Sequence, residues 1–290
     1  MKEPTNFHAI VIGGSYAGMS AAMALGRSVR NVLIIDAGKP CNRQTPHSHN
    51  FLTRDGSTPA AIGAVARAQV LAYPTVQWIQ GTATSATPTS AGYAVTTQEG
   101  HTYTCRKLIL ATGIADTMPA VPGFADCWGI SAIHCPYCHG YEYRGQPTDI
   151  WASGERAMHL AALVANLTPH ITLFTNGPEN FSPNQLAALQ HNNVAVEAAP
   201  ITEIQHNKGY MQAVTLANGK HIAIQALYAA LPFTQHSTIP HALGCTLTEY
   251  GHIHTDAFQK TSIPGVYACG DSASPMRAVA AAVATGNLAG

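Results

Sequence analysis

Residues 10–22 read IVIGGSYAGMSAA, and this stretch decides the fold. It passes from an apolar, β-branched strand through Gly13, Gly14, Ser15, Tyr16, Ala17 and Gly18 into an Ala- and Met-rich helix. That order suits a turn wrapped on a dinucleotide pyrophosphate. Gly13 makes the tight turn, small side chains let the backbone come close, and Gly18 lets helix and strand touch. The first helical N–H groups then face the anion. Ser15 stands where the middle glycine of the fingerprint is expected. Asp36 ends the next apolar run, Val32–Ile35, where a carboxylate accepts hydrogen bonds from a ribose, and Ala37 follows it in the same candidate site.

Working outward, β-branched runs alternate with Ala-rich stretches, the pattern of βαβ units and parallel sheets. The spacing predicts strands at His8–Ile12, Val32–Ile35 and Lys107–Ala111, and helices over Ala17–Arg27 and Ser57–Ala72, with Ser57 as N-cap. Gly92–Thr97 and His101–Cys105 read as a hairpin around Gln98-Glu99-Gly100. Pro119, Pro122 and Gly123 mark a linker, after which a second set begins: strand Asp149–Ala152, helix Glu155–Asn166, strand Ile171–Phe174. Met211–Leu216 and His221–Ile224 form another hairpin across Asn218-Gly219, and Gly265–Ala268 and Met276–Leu288 read as a late strand and helix. The expected fold is α/β, with two Rossmann-like dinucleotide-binding domains, each a parallel sheet with an added β-meander or hairpin. The first spans 1–115 and 243–290, and the second, 116–242, is inserted in it.

The 290 residues suffice for two domains. Fifteen Lys and Arg balance fifteen Asp and Glu, which leaves no basic excess to neutralise phosphates and excludes a general grip on nucleic acid. No apolar run approaches the ~20 residues of a membrane span. The polar start lacks the pattern of a signal peptide. Seven cysteines are too sparse for a disulfide scaffold, so the expected compartment is the reducing cytoplasm.

Two of those cysteines stand three apart in His134-Cys135-Pro136-Tyr137-Cys138-His139-Gly140-Tyr141-Glu142. CxxC brings two thiols within disulfide reach, and a helix start or nearby cation lowers a thiol pKa. His134 and His139 are candidate proton carriers. The same residues fit a CxxCH haem attachment, a zinc site, or structural thiols. Export signals are lacking for the first, and neither a second CxxC nor a spaced His pair supports the second. The redox dithiol is the favoured reading and no metal site is expected. Cys41 is expected to be a buried inert thiol, and Cys105, Cys127, Cys245 and Cys269 small hydrophobes. Trp128 and Tyr141 are expected in core or linker packing.

The GGxxxG start, the internal Ala111-Thr112-Gly113 and the late VYACGD (266–271) resemble the FAD domain of the two-domain flavoprotein disulfide reductases. The whole chain resembles the low-molecular-weight thioredoxin reductase group, and CPYCHGYE is similar to the flavin-dependent dithiol oxidases. This resemblance implies FAD as cofactor. It implies Gly270 and Asp271 on the ribityl or pyrophosphate portion, and Met276, Arg277 and Ala278 opening a helix towards the flavin pyrimidine ring. Asn42, His49 and Ala83 join the expected cofactor residues. It further implies Cys138 as the flavin-proximal thiol, Cys135 as the interchange thiol, and a homodimer. Thioredoxin reductases proper carry Asp after the second Cys, and here that position is His139. The expected activity is oxidation of a dithiol, with electrons passed through FAD to O₂ or another acceptor. The enzymatic alternative is NAD(P)H-driven reduction of a thioredoxin-like protein, and the alternative of another class is a redox-silent flavin- or zinc-binding module.

The second βαβ unit weakens the reductase alternative. Ala152 replaces its first glycine, Glu155 sits where a pyrophosphate would pass, and Phe174–Gly177 (FTNG) carries neither an acid for NADH nor the basic run of NADPH-using relatives. Arg156 is the one nearby cation. The fold is expected to persist with nicotinamide binding largely lost.

Overall fold

The strands Asn6–Ile12 and Val32–Asp36 are almost wholly buried, as expected where helices cover both faces of a parallel sheet. The computed structural model describes residues 6–178 and 181–290, which form two units. The first comprises 6–43, 51–115 and 233–290. Its parallel strands run in the order Val76–Gln80, Val32–Asp36, Asn6–Ile12, Thr102–Leu110, with Val266–Ala268 beside the last. Gly92–Thr97 and Ala83–Thr89 extend Thr102–Leu110 as an antiparallel meander. The predicted His101–Cys105 and Lys107–Ala111 are thus one strand, whose outer half serves the meander and whose inner half serves the parallel core.

The second unit comprises 44–50 and 116–232. Its five parallel strands run Val194–Glu197, Ile171–Phe174, Thr148–Trp151, Ala226–Ala229, Ala132–Ile133. A three-stranded antiparallel sheet, Ile201–Asn207, Tyr210–Leu216 and His221–Ala223, accompanies it. The chain returns to the first unit at Phe233 rather than at 243, because Phe233–Gln235 already pairs with Ile114–Asp116.

Two helix starts differ from the sequence reading. Thr58, not Ser57, caps the Pro59–Leu71 helix, its Oγ1 accepting the Ala61 N–H (3.1 Å) with Pro59 in the first turn. The last helix covers Val279–Ala289, so Met276, Arg277 and Ala278 form the turn before it rather than its first turn. There Arg277 N donates to Pro275 O and Ala278 N to Met276 O. A helix absent from the sequence reading, Pro183–His191, starts on a reciprocal cap between Ser182 and Gln185. Among the described residues no helix is long and apolar enough to cross a membrane.

Candidate active site

In the first unit, the carboxyl ends of Asn6–Ile12, Val32–Asp36, Thr102–Leu110 and Val266–Ala268 deliver the candidate cofactor residues to one end of the sheet, the usual ligand position in open α/β sheets. Space fixes the glycines. Gly13 has φ 104°, and a Cβ there would strike the Ala111 carbonyl. A Cβ on Gly18 would strike the Gly13 carbonyl, while on Gly14 it would lie 2.7 Å from the Asp36 Cβ. The Gly14 N–H donates to Asp36 Oδ1 at 2.9 Å, so the acid holds the loop itself. Ser15 is the N-cap of the Tyr16–Arg27 helix without a side-chain cap bond. The Tyr16 hydroxyl takes a bond from Asn42 Nδ2 (3.3 Å), and burial raises the phenol's pKa against that bond.

Ala111 N donates to Ile12 O, seating Ala111-Thr112-Gly113 beside Gly13. Ala83 opens the outer meander strand. Gly270 (φ 72°) donates its N–H to Thr285 Oγ1 of the last helix (3.0 Å). Asp271 accepts from Cys41 Sγ at 3.8 Å, and its carbonyl meets His252 Nδ1 at 3.1 Å. Asn42 Oδ1 and Thr112 Oγ1 are buried without a hydrogen-bond partner. Such oxygens each cost about 1–3 kcal/mol, and a polar ligand at this end of the sheet recovers that cost. The loop, the acids and these two oxygens therefore fit a flavin dinucleotide.

In the second unit, the edge strand Ala132–Ile133 is followed by His134 and leads directly into the Cys turn. Pro136–His139 is a single helical turn with Cys135 as its N-cap, too short to sum many peptide dipoles. Cys138 Sγ donates to Cys135 Sγ at 2.8 Å, both cysteines being half-buried. His139 follows on the same turn, with His49 edge-on to it at a ring separation of 6.3 Å. His49 Nε2 in turn lies 3.5 Å from Glu142 Oε1. Burial, reinforced by His49 and opposed by Glu142, holds the His139 pKa below its ordinary 6.5. His139 is therefore a neutral imidazole at neutral pH, able to accept a proton. The ring of His134 lies 6.3 Å from that of Trp128. His49, grouped by sequence with the cofactor, thus belongs to the second unit and to the surroundings of His139.

The second nucleotide-type loop is built differently. Gly154 keeps a positive φ (59°), yet Glu155 occupies the first turn of the Gly154–Val164 helix, its carboxylate bonded to Gln185 Nε2 (2.8 Å). An acid at a helix start repels a diphosphate. Past the Ile171–Phe174 strand, Thr175 Oγ1 donates to Gly177 O, and Asn176 Oδ1 accepts from Ile201 N. Those side chains are spent on backbone, and none is basic. The carboxyl ends of the neighbouring strands border an apolar cleft of about 330 Å³, lined by Thr117, Met118, Pro119, Trp151 and Ala230–Pro232. These residues do not fit a nicotinamide dinucleotide's phosphates.

The other cysteines divide by burial. Desolvation pushes Cys105 and Cys127 up to about 11 and Cys269 to about 12, and Cys245 is raised too, so all four are inert packing. Cys41, expected buried, is exposed, because it follows Pro40 in the loop after Asp36. Trp128 is buried and donates to Asp116 Oδ2 (3.1 Å). Tyr141 instead lies exposed beneath the Arg144 guanidinium, 4.0 Å from its ring centre. Among the described residues no group of three or more His, Cys, Asp or Glu is arranged to hold a metal ion. Tyr228 had no sequence signal, since the strand that carries it, ALYA, reads as plain core.

Comparison with known proteins agrees with this geometry. The family described as pyridine nucleotide-disulphide oxidoreductase matches residues 7–286. The thioredoxin reductase sirT of Leptosphaeria maculans is 33% identical, over 99% of this chain and 93% of its own. The thioredoxin reductase tcpT of Claviceps purpurea is 31% identical, over 97% and 91%. An oxidoreductase from Agrobacterium tumefaciens superposes with a TM-score of 0.92 at 38% identity, over 98% of this chain and 96% of that one. A glycine-forced nucleotide loop in one unit, a dithiol turn in the other and this end-to-end similarity lead to one conclusion: the chain belongs to the pyridine nucleotide-disulphide oxidoreductases, as a thioredoxin reductase-like flavin enzyme.

Proposed function

We propose that this enzyme oxidises a small dithiol through a redox-active Cys135–Cys138 pair. The observation that carries the reading is two half-buried sulfurs 2.8 Å apart on one turn, followed by an imidazole held neutral by burial. His139, or His134, takes the proton of a substrate thiol. The thiolate attacks Cys135 Sγ of the enzyme disulfide, forming a mixed disulfide and releasing Cys138 as a thiolate. The second substrate thiolate attacks the substrate sulfur of that bond, and Cys135 leaves as a thiolate. The substrate has then lost two electrons and two protons; the pair holds the electrons, and the histidine passes the protons on.

Gly13, Gly14, Ser15, Ala17, Gly18, Asp36, Asn42, Thr112 and Asp271 are the residues that would hold FAD. When bound, FAD would supply a two-electron acceptor for the pair, with O₂ or another oxidant as the final acceptor, and the family resemblance gives Cys138 the role of passing the electrons on. The poor fit of the second loop to a diphosphate supports an enzyme that does not take its electrons from NAD(P)H. The same reading takes the protein as a cytoplasmic homodimer.

Anaerobic titration tests this. A small dithiol should bleach the flavin's visible band in the unmodified enzyme and fail to do so in Cys138→Ser, with flavin retained, and admission of air should restore the colour with release of peroxide. Dithiol turnover retained by Cys138→Ser would exclude the pair. Stoichiometric bleaching by NADPH or NADH would turn the assignment to a disulfide reductase acting on a thioredoxin-like protein.

A further inference from the structure

Tyr228 is fully buried in the strand Ala226–Ala229, next to the edge of the parallel sheet in the second unit, and its hydroxyl has no hydrogen-bond partner. The register explains where that hydroxyl goes. Tyr228 pairs with Ile133, the last residue of the edge strand before His134 and Cys135. Its ring reaches under the turn that carries the Cys pair and meets Gly140, where an added Cβ would come within 2.6 Å of the hydroxyl, 2.5 Å of Leu167 Cδ1 and against the Pro136 carbonyl. Gly140 has an ordinary helical φ of −70°, so crowding by the Pro136 carbonyl, Leu167 and the Tyr228 hydroxyl, and not backbone conformation, favours glycine there.

The groups around the turn are otherwise engaged. Tyr143 donates to Ile130 O (3.0 Å), Glu142 pairs with His49, and His139 faces His49 edge-on. The Pro136 carbonyl takes the Gly140 N–H at 2.8 Å. Burial first, and then repulsion between its ionised form and the ionised forms of Cys135, Glu142 and Tyr143, keeps the phenol protonated. A buried hydroxyl without a partner is costly to keep, and in a low-dielectric interior its dipole acts strongly on a nearby charge.

We infer that Tyr228 is a positioning residue for the Cys pair, its buried O–H dipole favouring the thiolate form of Cys135. This rests on the pair being redox-active, as proposed above. Each turnover leaves negative charge on that sulfur, and the single helical turn provides few aligned peptide dipoles to meet it.

Tyr228→Phe removes the hydroxyl and keeps the ring. Iodoacetamide alkylation of Cys135 is followed against pH by mass spectrometry of its peptide, in a Cys138→Ser background with and without Tyr228→Phe. The expected result is a midpoint raised by about one pH unit, equivalent to about tenfold slower alkylation below the midpoint, together with a melting temperature equal to or above that of the background. 3-Fluorotyrosine at position 228, a stronger donor of nearly the same shape, should move the midpoint downward and covers a failure of the Phe variant to fold. An unmoved midpoint overturns the inference, and so does a fall in melting temperature without a midpoint change. The unmodified chain separates the two readings. If its own pair does not cycle between dithiol and disulfide, the proposed activity fails; if it cycles and the midpoint stays, only the role of Tyr228 does.

Discussion

Asp149 offers a perturbation whose size can be worked from its surroundings. It lies on the Thr148–Trp151 strand, 3% exposed, with Oδ1 accepting the Thr172 N–H at 2.7 Å and Oδ2 buried without a partner. Burial, opposed by the Thr172 bonds, pushes its pKa from 3.8 up to about 7. Between those values the folded chain keeps a proton that the unfolded chain has lost, so this group's contribution falls as pH rises through the interval. Below pH ~4 it is fully present, and above pH ~7 it is gone. The displacement corresponds to something on the order of 4 kcal/mol. Asp149→Asn retains an oxygen for the Thr172 N–H and carries no charge at any pH. Urea unfolding across this range, followed by the emission of Trp128 and Trp151 in the same unit, measures the difference between variant and unmodified chain. Histidine titrations are common to both and cancel. The difference should climb towards the variant's favour between pH ~4 and ~7 and then level off at roughly 2–4 kcal/mol. A difference that stays flat with pH, or a variant less stable at pH ~8, refutes the reasoning.

Three further outcomes are expected. Gly18→Ala should lose flavin from the purified protein and lower stability by about 1–3 kcal/mol, because its Cβ meets the Gly13 carbonyl, which cannot swing aside as a side chain would; absorbance and thermal unfolding report both. In the unmodified enzyme, dithiol oxidation should keep its rate as pH falls to 6.5 and decline only below it, since burial holds His139 neutral to lower pH. His139→Gln should cut kcat/KM by about 10²-fold or more and abolish that acid limb; a limb that persists unchanged moves the role to His134.

The nucleotide loop was legible because its chemistry is backbone chemistry: Gly13 and Gly18 each face a carbonyl that tolerates no Cβ, and such constraints are written directly into sequence. The Cys pair was legible for the same local reason. What escaped depends on contacts distant along the chain. Nothing near His49 announces that it pairs with Glu142, and nothing in ALYA marks the tyrosine beneath Gly140. The start of the last helix was misplaced because Met276-Arg277-Ala278 has good helix propensity, while Pro275 and two tight backbone bonds hold those residues in a turn. Phe233–Gln235 escaped because a three-residue strand has no period to detect.

The last helix sits at backbone distance from the first: a Cβ on Gly286 would run into the carbonyl of Ala17, and Ser20 Oγ reaches Val283 O at 2.7 Å. Ala17 lies in the first turn of the Tyr16–Arg27 helix, directly after the loop proposed to hold a diphosphate. A bulkier residue at 286 would therefore press on that proposed loop from the last helix. Mutational screens for flavin retention should flag Gly286 as though it were a ligand contact, although its part is that of a hinge pin.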